Sequence, residues 1–223
     1  MDAKITVVKA IKGGSMSKNK RTKIAEMICD TAGRLYDANF DPQVLEALGE
    51  CKELCYDYNQ LRPREADARR ELLRTIVASM GEHATVQPPF WCDYGKNIHL
   101  GENFYANHGL TILDGARVTF GHDVYLAPNC TFSTAGHPID TERRNLGLEY
   151  ALPITVGDNV WMGMGVMVCP GVTIGSNVVI GAGSVVVKDI PSGVVAVGNP
   201  CRVMREITEA DAQRYELYQP KEG

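Results

Sequence analysis

An apolar residue returns every six positions along the C-terminal half of this 223-residue chain. The series runs Leu100, Ala106, Ile112, then Phe120, Leu126, Phe132, then Val156, Met162, Val168, Ile174, Ile180 and Val186. A period of six fits neither an amphipathic helix nor an alternating strand. Small or amide residues hold fixed offsets between the apolar ones, as in Val156-Gly157-Asp158-Asn159 and Ile174-Gly175-Ser176-Asn177. A single hexad cannot bury its apolar residue. Three short strands with a corner after each close a triangular coil of about eighteen residues, and only a stack of such coils has a core. The glycine after the aliphatic position (Gly101, Gly121, Gly157, Gly163, Gly175, Gly181) is expected to permit the corner.

The interruptions carry information too. Ile112 and Phe120 are eight residues apart, so a bulge or two-residue insertion is expected near Asp114-Gly115-Ala116. Phe132 and Val156 are 24 apart, a multiple of six, yet residues 134–153 have no hexad character. A polar loop therefore leaves a rigid scaffold there, the usual place for binding and chemistry.

Several strings resemble one family. Asn97-Ile98-His99-Leu100-Gly101, Asn103-Phe104-Tyr105-Ala106-Asn107, Gly136-His137-Pro138, Pro153 to Trp161 and Val197-Gly198-Asn199-Pro200-Cys201-Arg202-Val203 are similar to the hexapeptide-repeat sugar O-acetyltransferases. The resemblance covers about Lys23 to Ile207 and embraces maltose, galactoside and nodulation acetyltransferases, with the maltose type nearest. It implies a mainly β fold: a left-handed parallel β-helix with an N-terminal α-helical cap and a short C-terminal helix. It also implies acetyl-CoA (coenzyme A) as cosubstrate and a homotrimer with intersubunit active sites.

The rest of the chain fits that plan. Residues 16–81 are charged and helix-forming, with apolar spacing at Ile24, Met27, Ile28 and at Leu72, Leu73, Ile76, Val77, Met80; Pro63 marks a fresh helix start and Gly81 its end. The β-helix is expected over 82–207, and Thr208-Glu209-Ala210-Asp211 reads as an N-cap with an acidic first turn, opening a terminal helix within 208–223. Residues 1–15, ending in Gly13-Gly14-Ser15 before Met16, read as a fused peptide and linker. Net charge of −4 argues against nucleic acid or a membrane surface as partner. No apolar run is long enough to span a bilayer and no signal-peptide pattern is present, so a cytoplasmic protein is expected. Seven scattered cysteines read as reduced, mostly buried thiols. Cys51 and Cys55 lie one helical turn apart, but no paired His/Cys set accompanies them and no metal is expected.

Moving an acetyl group from a thioester to a hydroxyl needs a base for the hydroxyl proton, and a neutral imidazole serves at neutral pH. His137 lies in the loop, its backbone fixed by Gly136 and Pro138; His83, His99, His108 and His122 read as junction, rung or wall residues. His137 also matches the family's catalytic Gly-His-Pro. The resemblance carries Asp93 and Asn107 over as sugar contacts, joined by Tyr105 and Glu149, with the segment near Tyr36-Asp37 closing the pocket. A carboxylate such as Asp93 accepts two hydroxyl hydrogen bonds at once. Galactoside enzymes carry Ser at Asp93 and Asp at Gly115, which points to the maltose type. The coenzyme edge is expected along the later rungs, where the small residues Gly163, Gly165, Gly181, Ala182, Gly183 and Ser184 leave room for a thin chain, with Met164 and Val187 beside them and Trp161 as a wall. Lys188, Arg202 and Arg205 meet the phosphates. No serine or cysteine nucleophile adjoins His137 in sequence, so direct transfer in a ternary complex is expected.

Three rival readings remain. Carbonic anhydrases on this scaffold need a His-x4-His pair, whereas the histidine gaps here are 16, 9, 14 and 15. A non-sugar alcohol as acceptor, or a trimeric scaffold displaying the N-terminal peptide, are the other two.

Overall fold

A computed structural model describes residues 15–216, with side chains from residue 20 onward. The fused peptide expected over 1–15 lies outside the described residues apart from Ser15, as does the chain after residue 216.

Short parallel strands stack in three columns, each continuing through the coils. In one, Met80 pairs with Leu100, Leu100 with Phe120, Phe120 with Val156, and Val156 with Ile174. The second runs Val86, Ala106, Leu126, Met162, Ile180, Ala196 and the third Cys92, Ile112, Phe132, Val168, Val186. All but Met80 are buried, so the six-residue beat is the inner lining of a triangular parallel β-solenoid. Phe104, Phe120 and Phe132 meet in its core with successive ring centroids 4.9 Å apart, the first pair tilted and the second edge to face.

The glycines do a different job from the one expected. The left-handed corner residues come two positions later: Asn103, Asp123, Asn159 and Asn177 at φ of 55 to 56°, with Gly165 and Gly183 at 69°. Asn and Asp tolerate that region because their short side chains bond locally. The glycines after the aliphatic positions instead allow coils to approach. A Cβ on Gly163 would lie 2.6 Å from the Ala182 nitrogen, and one on Gly157 2.8 Å from the Gly175 carbonyl carbon.

The solenoid also begins earlier than expected. Strand Ser79–Met80 pairs with Ile98–Leu100. Gly81 is therefore a rung glycine, whose Cβ would meet the Gly101 oxygen at 2.7 Å, and not a helix terminator. Three helices precede it: α1 (Ser15–Cys29), α2 (Pro42–Gln60) and α3 (Ala66–Ile76). Asp41 caps α2 through a 2.8 Å bond from the Gln43 amide, and Pro42 suits its first turn. Helix α3 opens at Ala66, three residues after the Pro63 signal.

Helix α2 covers the open edge of the first coil, a surface that would otherwise invite strand addition. The Tyr58 hydroxyl donates to the Val86 carbonyl at 2.5 Å, and Asn59 both donates to and accepts from the Phe90 backbone. Buried residues of α2 and α3 join the solenoid core in one cluster. At the far end, strand Arg202–Glu206 pairs antiparallel with Val194–Val197, and Thr208 and Asp211 form a capping box on the short helix α5 (Glu209–Ala212). No helix of the described residues is long and apolar enough to cross a membrane.

Candidate active site

The loop at 134–153 is an insertion between coils. Phe132 stacks on Val168, 36 residues later, whereas Val168 stacks on Val186 only 18 later. The loop leaves strand Thr131–Ser133 and forms a small antiparallel sheet in which Leu148–Ala151 lies between Ala135–Gly136 and Tyr36–Asp37. Gly136 has no space for a side chain against the Tyr150 ring. Between these strands helix α4 (Thr141–Asn145) is capped by Asp140 and held by Arg144, which donates to the Ile139 carbonyl at 3.0 Å.

Beneath this sheet is a cavity of about 390 Å³ lined by Tyr36, Asp93, Tyr94, Ser133, His137 and Glu149, among others. His137 is oriented by a backbone group: Nδ1 lies 3.2 Å from the Leu148 carbonyl oxygen, which can only accept. The proton of the neutral ring therefore sits on Nδ1, leaving the Nε2 lone pair free to accept. Nε2 stands 3.6 Å from Glu149 Oε1, and the other carboxylate oxygen takes a 3.4 Å bond from the Tyr36 hydroxyl. Burial, then the Glu149 charge, raises the Tyr36 phenol above its ordinary range.

Asp93 faces the same cavity. Burial first, and then the Glu149 charge, pushes its carboxyl up to about 6. A fully buried neighbour holds it in place. Asp114 Oδ1 accepts from the amides of Asp93 and Tyr94 at 3.0 and 2.9 Å, and Oδ2 from the Asn97 amide at 3.3 Å. The Asn97 side chain returns a 2.7 Å bond to the Asp114 carbonyl. Burial raises Asp114 to about 7 against the pull of those amides. Asp114 was missed in the sequence as a site residue; the eight-residue gap after Ile112 was the only sign that this corner is special.

The structure thus brings His137, Asp93 and Glu149 into one cavity, with Tyr36 closing it. Tyr105 and Asn107 are not among the residues lining it. Tyr105 belongs to another column, where it pairs with Tyr125, and the Asn107 side chain accepts from the His108 amide at 2.8 Å. Of the coenzyme set, Trp161, Met164, Ala182, Val187, Lys188 and Arg202 are exposed on the later coils. Gly163 is buried, and the close approach of Ala182 in the next coil leaves no space for a side chain there. Arg205 does not present a free guanidinium: it forks onto Asp211 at 2.6 and 2.7 Å and fastens α5.

Residues 31–81 match the family described as the maltose acetyltransferase hexapeptide capping motif, and residues 153–188 match the bacterial transferase hexapeptide with its six repeats. The galactoside O-acetyltransferase of Escherichia coli K12 is 52% identical over 164 residues, 74% of this chain and 81% of that protein. The chain belongs to the hexapeptide-repeat galactoside and maltose O-acetyltransferases. As a member of this family it is an acetyltransferase. A Saccharomyces cerevisiae protein bearing an acetyltransferase name is 55% identical over 180 residues, 81% of this chain and 92% of its own. Among solved structures, a galactoside acetyltransferase in complex with coenzyme A superposes with a TM-score of 0.80 at 47% identity, covering 87% of this chain and 96% of that one. A maltose O-acetyltransferase from Clostridium difficile 630 gives 0.79 at 47%, covering 83% and 98%.

Proposed function

We propose that this acetyltransferase moves the acetyl group of acetyl-CoA directly to a hydroxyl of a sugar of the maltose or glucose type, with His137 as general base. The observation carrying this reading is the 3.2 Å contact of His137 Nδ1 with the Leu148 carbonyl, which sets the tautomer of the ring. Its Nδ1–H is committed to the Leu148 carbonyl, so Nε2 is the basic atom, in a cavity shared with the Asp93 and Glu149 carboxylates.

The steps follow from that placement. Asp93 accepts hydrogen bonds from acceptor hydroxyls and fixes which one meets His137. Nε2 removes that hydroxyl's proton as its oxygen attacks the thioester carbonyl, and Glu149 stabilises the imidazolium so formed. When the tetrahedral intermediate collapses, the carbon–sulfur bond breaks and the imidazolium returns its proton to the departing thiolate.

The later coils suit the pantetheine arm and its phosphates. A Cβ placed on Gly165 or Gly183 would meet nothing within 4 Å, so the edge beside Met164 and Ala182 is open to a thin chain. Exposed Val187 adds apolar surface, and Lys188 and Arg202 supply cations for phosphate.

Tyr105, Tyr125, Trp161 and Val179 stack outward in register on one solenoid face, with Tyr125 46% and Trp161 54% exposed. Such an apolar ladder favours burial against another copy. A trimer would close it and bring Tyr105, Asn107 and Trp161 of one subunit towards a site of the next. Seven unpaired thiols fit a reducing, cytoplasmic setting.

Coenzyme A release from acetyl-CoA, measured with glucosides, maltose, galactosides and non-sugar alcohols, tests the reading. Preferential turnover of glucose-type sugars is expected, and turnover restricted to non-sugar alcohols would overturn it.

A further inference from the structure

We infer that Cys51, Cys55 and Cys92 form a three-sulfur site for one thiophilic metal ion, and that copper(I) is the ion it fits. None of the three cysteines lines the catalytic cavity, and the site does not depend on the function proposed for that cavity. Cys51 and Cys55 lie one turn apart on α2 and face the solenoid, where strand Phe90–Cys92 of the first coil presents the third sulfur. Cys92 Sγ is 3.6 Å from Cys51 Sγ and 3.7 Å from Cys55 Sγ, and all three lie within 4.8 Å of one another. An ion bonded to three coplanar sulfurs at about 2.3 Å would hold them roughly 4.0 Å apart, so the triad needs little movement to close on it.

Three features select the ion. The donors are all soft sulfur, which favours copper(I), zinc or iron–sulfur clusters over hard cations. No fourth His, Cys, Asp or Glu joins the group among the described residues, and structural zinc sites are almost always four-coordinate. The sulfurs are sealed from solvent, with Cys51 and Cys55 at 0% exposure and Cys92 at 4%, which leaves no water to complete a tetrahedron. A three-coordinate ion satisfies the set as it stands.

A second, independent feature is a buried cation with incomplete bonding. Arg21 is 1% exposed; its Nη2 donates to the Thr75 carbonyl at 2.7 Å, while Nη1 has no hydrogen-bond partner among the described residues. A buried guanidinium calls for negative charge nearby. Arg21 sits on α1, which packs against the α2 helix that carries Cys51 and Cys55, so the thiolates of a loaded site would supply that charge. Loading exchanges three thiol protons for one ion, with no change of oxidation state. Because Cys92 directly precedes Asp93, the bound ion would pin the helical cap to the corner bearing the acceptor carboxylate.

Anaerobic titration of the reduced full-length protein against copper(I) bicinchoninate tests this, with X-ray absorption on the loaded protein. One copper(I) per chain withdrawn from the chelator is expected, with a shell of three sulfurs. Cys51→Ala and Cys92→Ala should each weaken binding by more than about 100-fold, beyond the roughly 10–100-fold that disturbing an outer partner causes. Cys29→Ala and Cys169→Ala should leave it unchanged. Copper retained equally by the Cys51 and Cys92 variants would overturn the site. Should either variant fail to fold, the wild-type shell decides: anything other than three sulfurs refutes the proposal. Zinc(II) bound at one per chain with copper(I) excluded would refute the assignment of the ion.

Discussion

Replacing Asp93 by Asn should make the protein more stable while damaging the reaction. In the folded chain this carboxyl ionises near 6 against an ordinary 3.8, because the cavity walls and Glu149 oppose its charge. A shift of roughly two units corresponds to about 3 kcal/mol between the charge states. The folded state holds the proton more tightly than the unfolded chain, so native stability falls as pH rises from about 4 to 6. The full cost is present above that window and absent below it. D93N keeps the shape and removes the charge, so its advantage should approach 3 kcal/mol at pH 8 and vanish near pH 4. Denaturant unfolding at fixed protein concentration across this range measures the difference; groups remote from the cavity cancel between the two proteins, while Asp114, which the Asp93 charge also raises, adds to the advantage of D93N. Catalytically, losing charge-assisted hydrogen bonds worth roughly 1.5–3 kcal/mol should lower acceptor kcat/KM by about 10–100-fold. A variant equally or less stable than wild type at pH 8 would refute the claim that Asp93 is held at an electrostatic disadvantage for binding.

Glu149→Gln removes the second cause of the Asp93 shift. The pH below which acceptor KM climbs should move lower in this variant; an unmoved limb would show that burial acts alone. Lys188→Ala should raise the KM for acetyl-CoA, whereas Arg205→Ala, which severs the fork to Asp211, should loosen the C-terminal helix and alter that KM less. Equal effects in steady-state kinetics would return Arg205 to the phosphates. Trp161→Glu places a charge on the outward ladder and should shift light-scattering mass from trimer to monomer; an unchanged mass would place the subunit contact elsewhere. Gly157→Ala sets a methyl 2.8 Å from the Gly175 carbonyl carbon and should cost about 1–3 kcal/mol by thermal or denaturant unfolding.

The solenoid was legible because its cause is local and repeated: each buried apolar residue recurs at a fixed separation that neither an amphipathic helix nor an alternating strand would bury. The loop bearing His137 was legible for the same reason, as a break in the pattern. Gly81 was misread because a glycine after an apolar residue fits a helix end as well as a rung, and only the neighbouring coil at Gly101 separates the two. The corner glycines were misassigned because close approach between coils and a left-handed turn both favour glycine, while φ places the turn at Asn103 and its equivalents. Asp114 and the pairing of Cys92 with Cys51 and Cys55 depend on contacts between distant segments, which no periodicity reports. Arg205 looked available until the capping box on the short terminal helix placed Asp211 against it.

In the proposed reaction, catalysis depends on His137 Nε2 acting as the base. Steady-state release of coenzyme A from acetyl-CoA with a saturating sugar acceptor, compared between wild type and His137→Ala, tests it most directly. The expected kcat is lower by roughly 10²–10⁴ with the KM for acetyl-CoA little changed, since His137 contributes to proton transfer and not to coenzyme binding. A variant that retains near-wild-type turnover would contradict it.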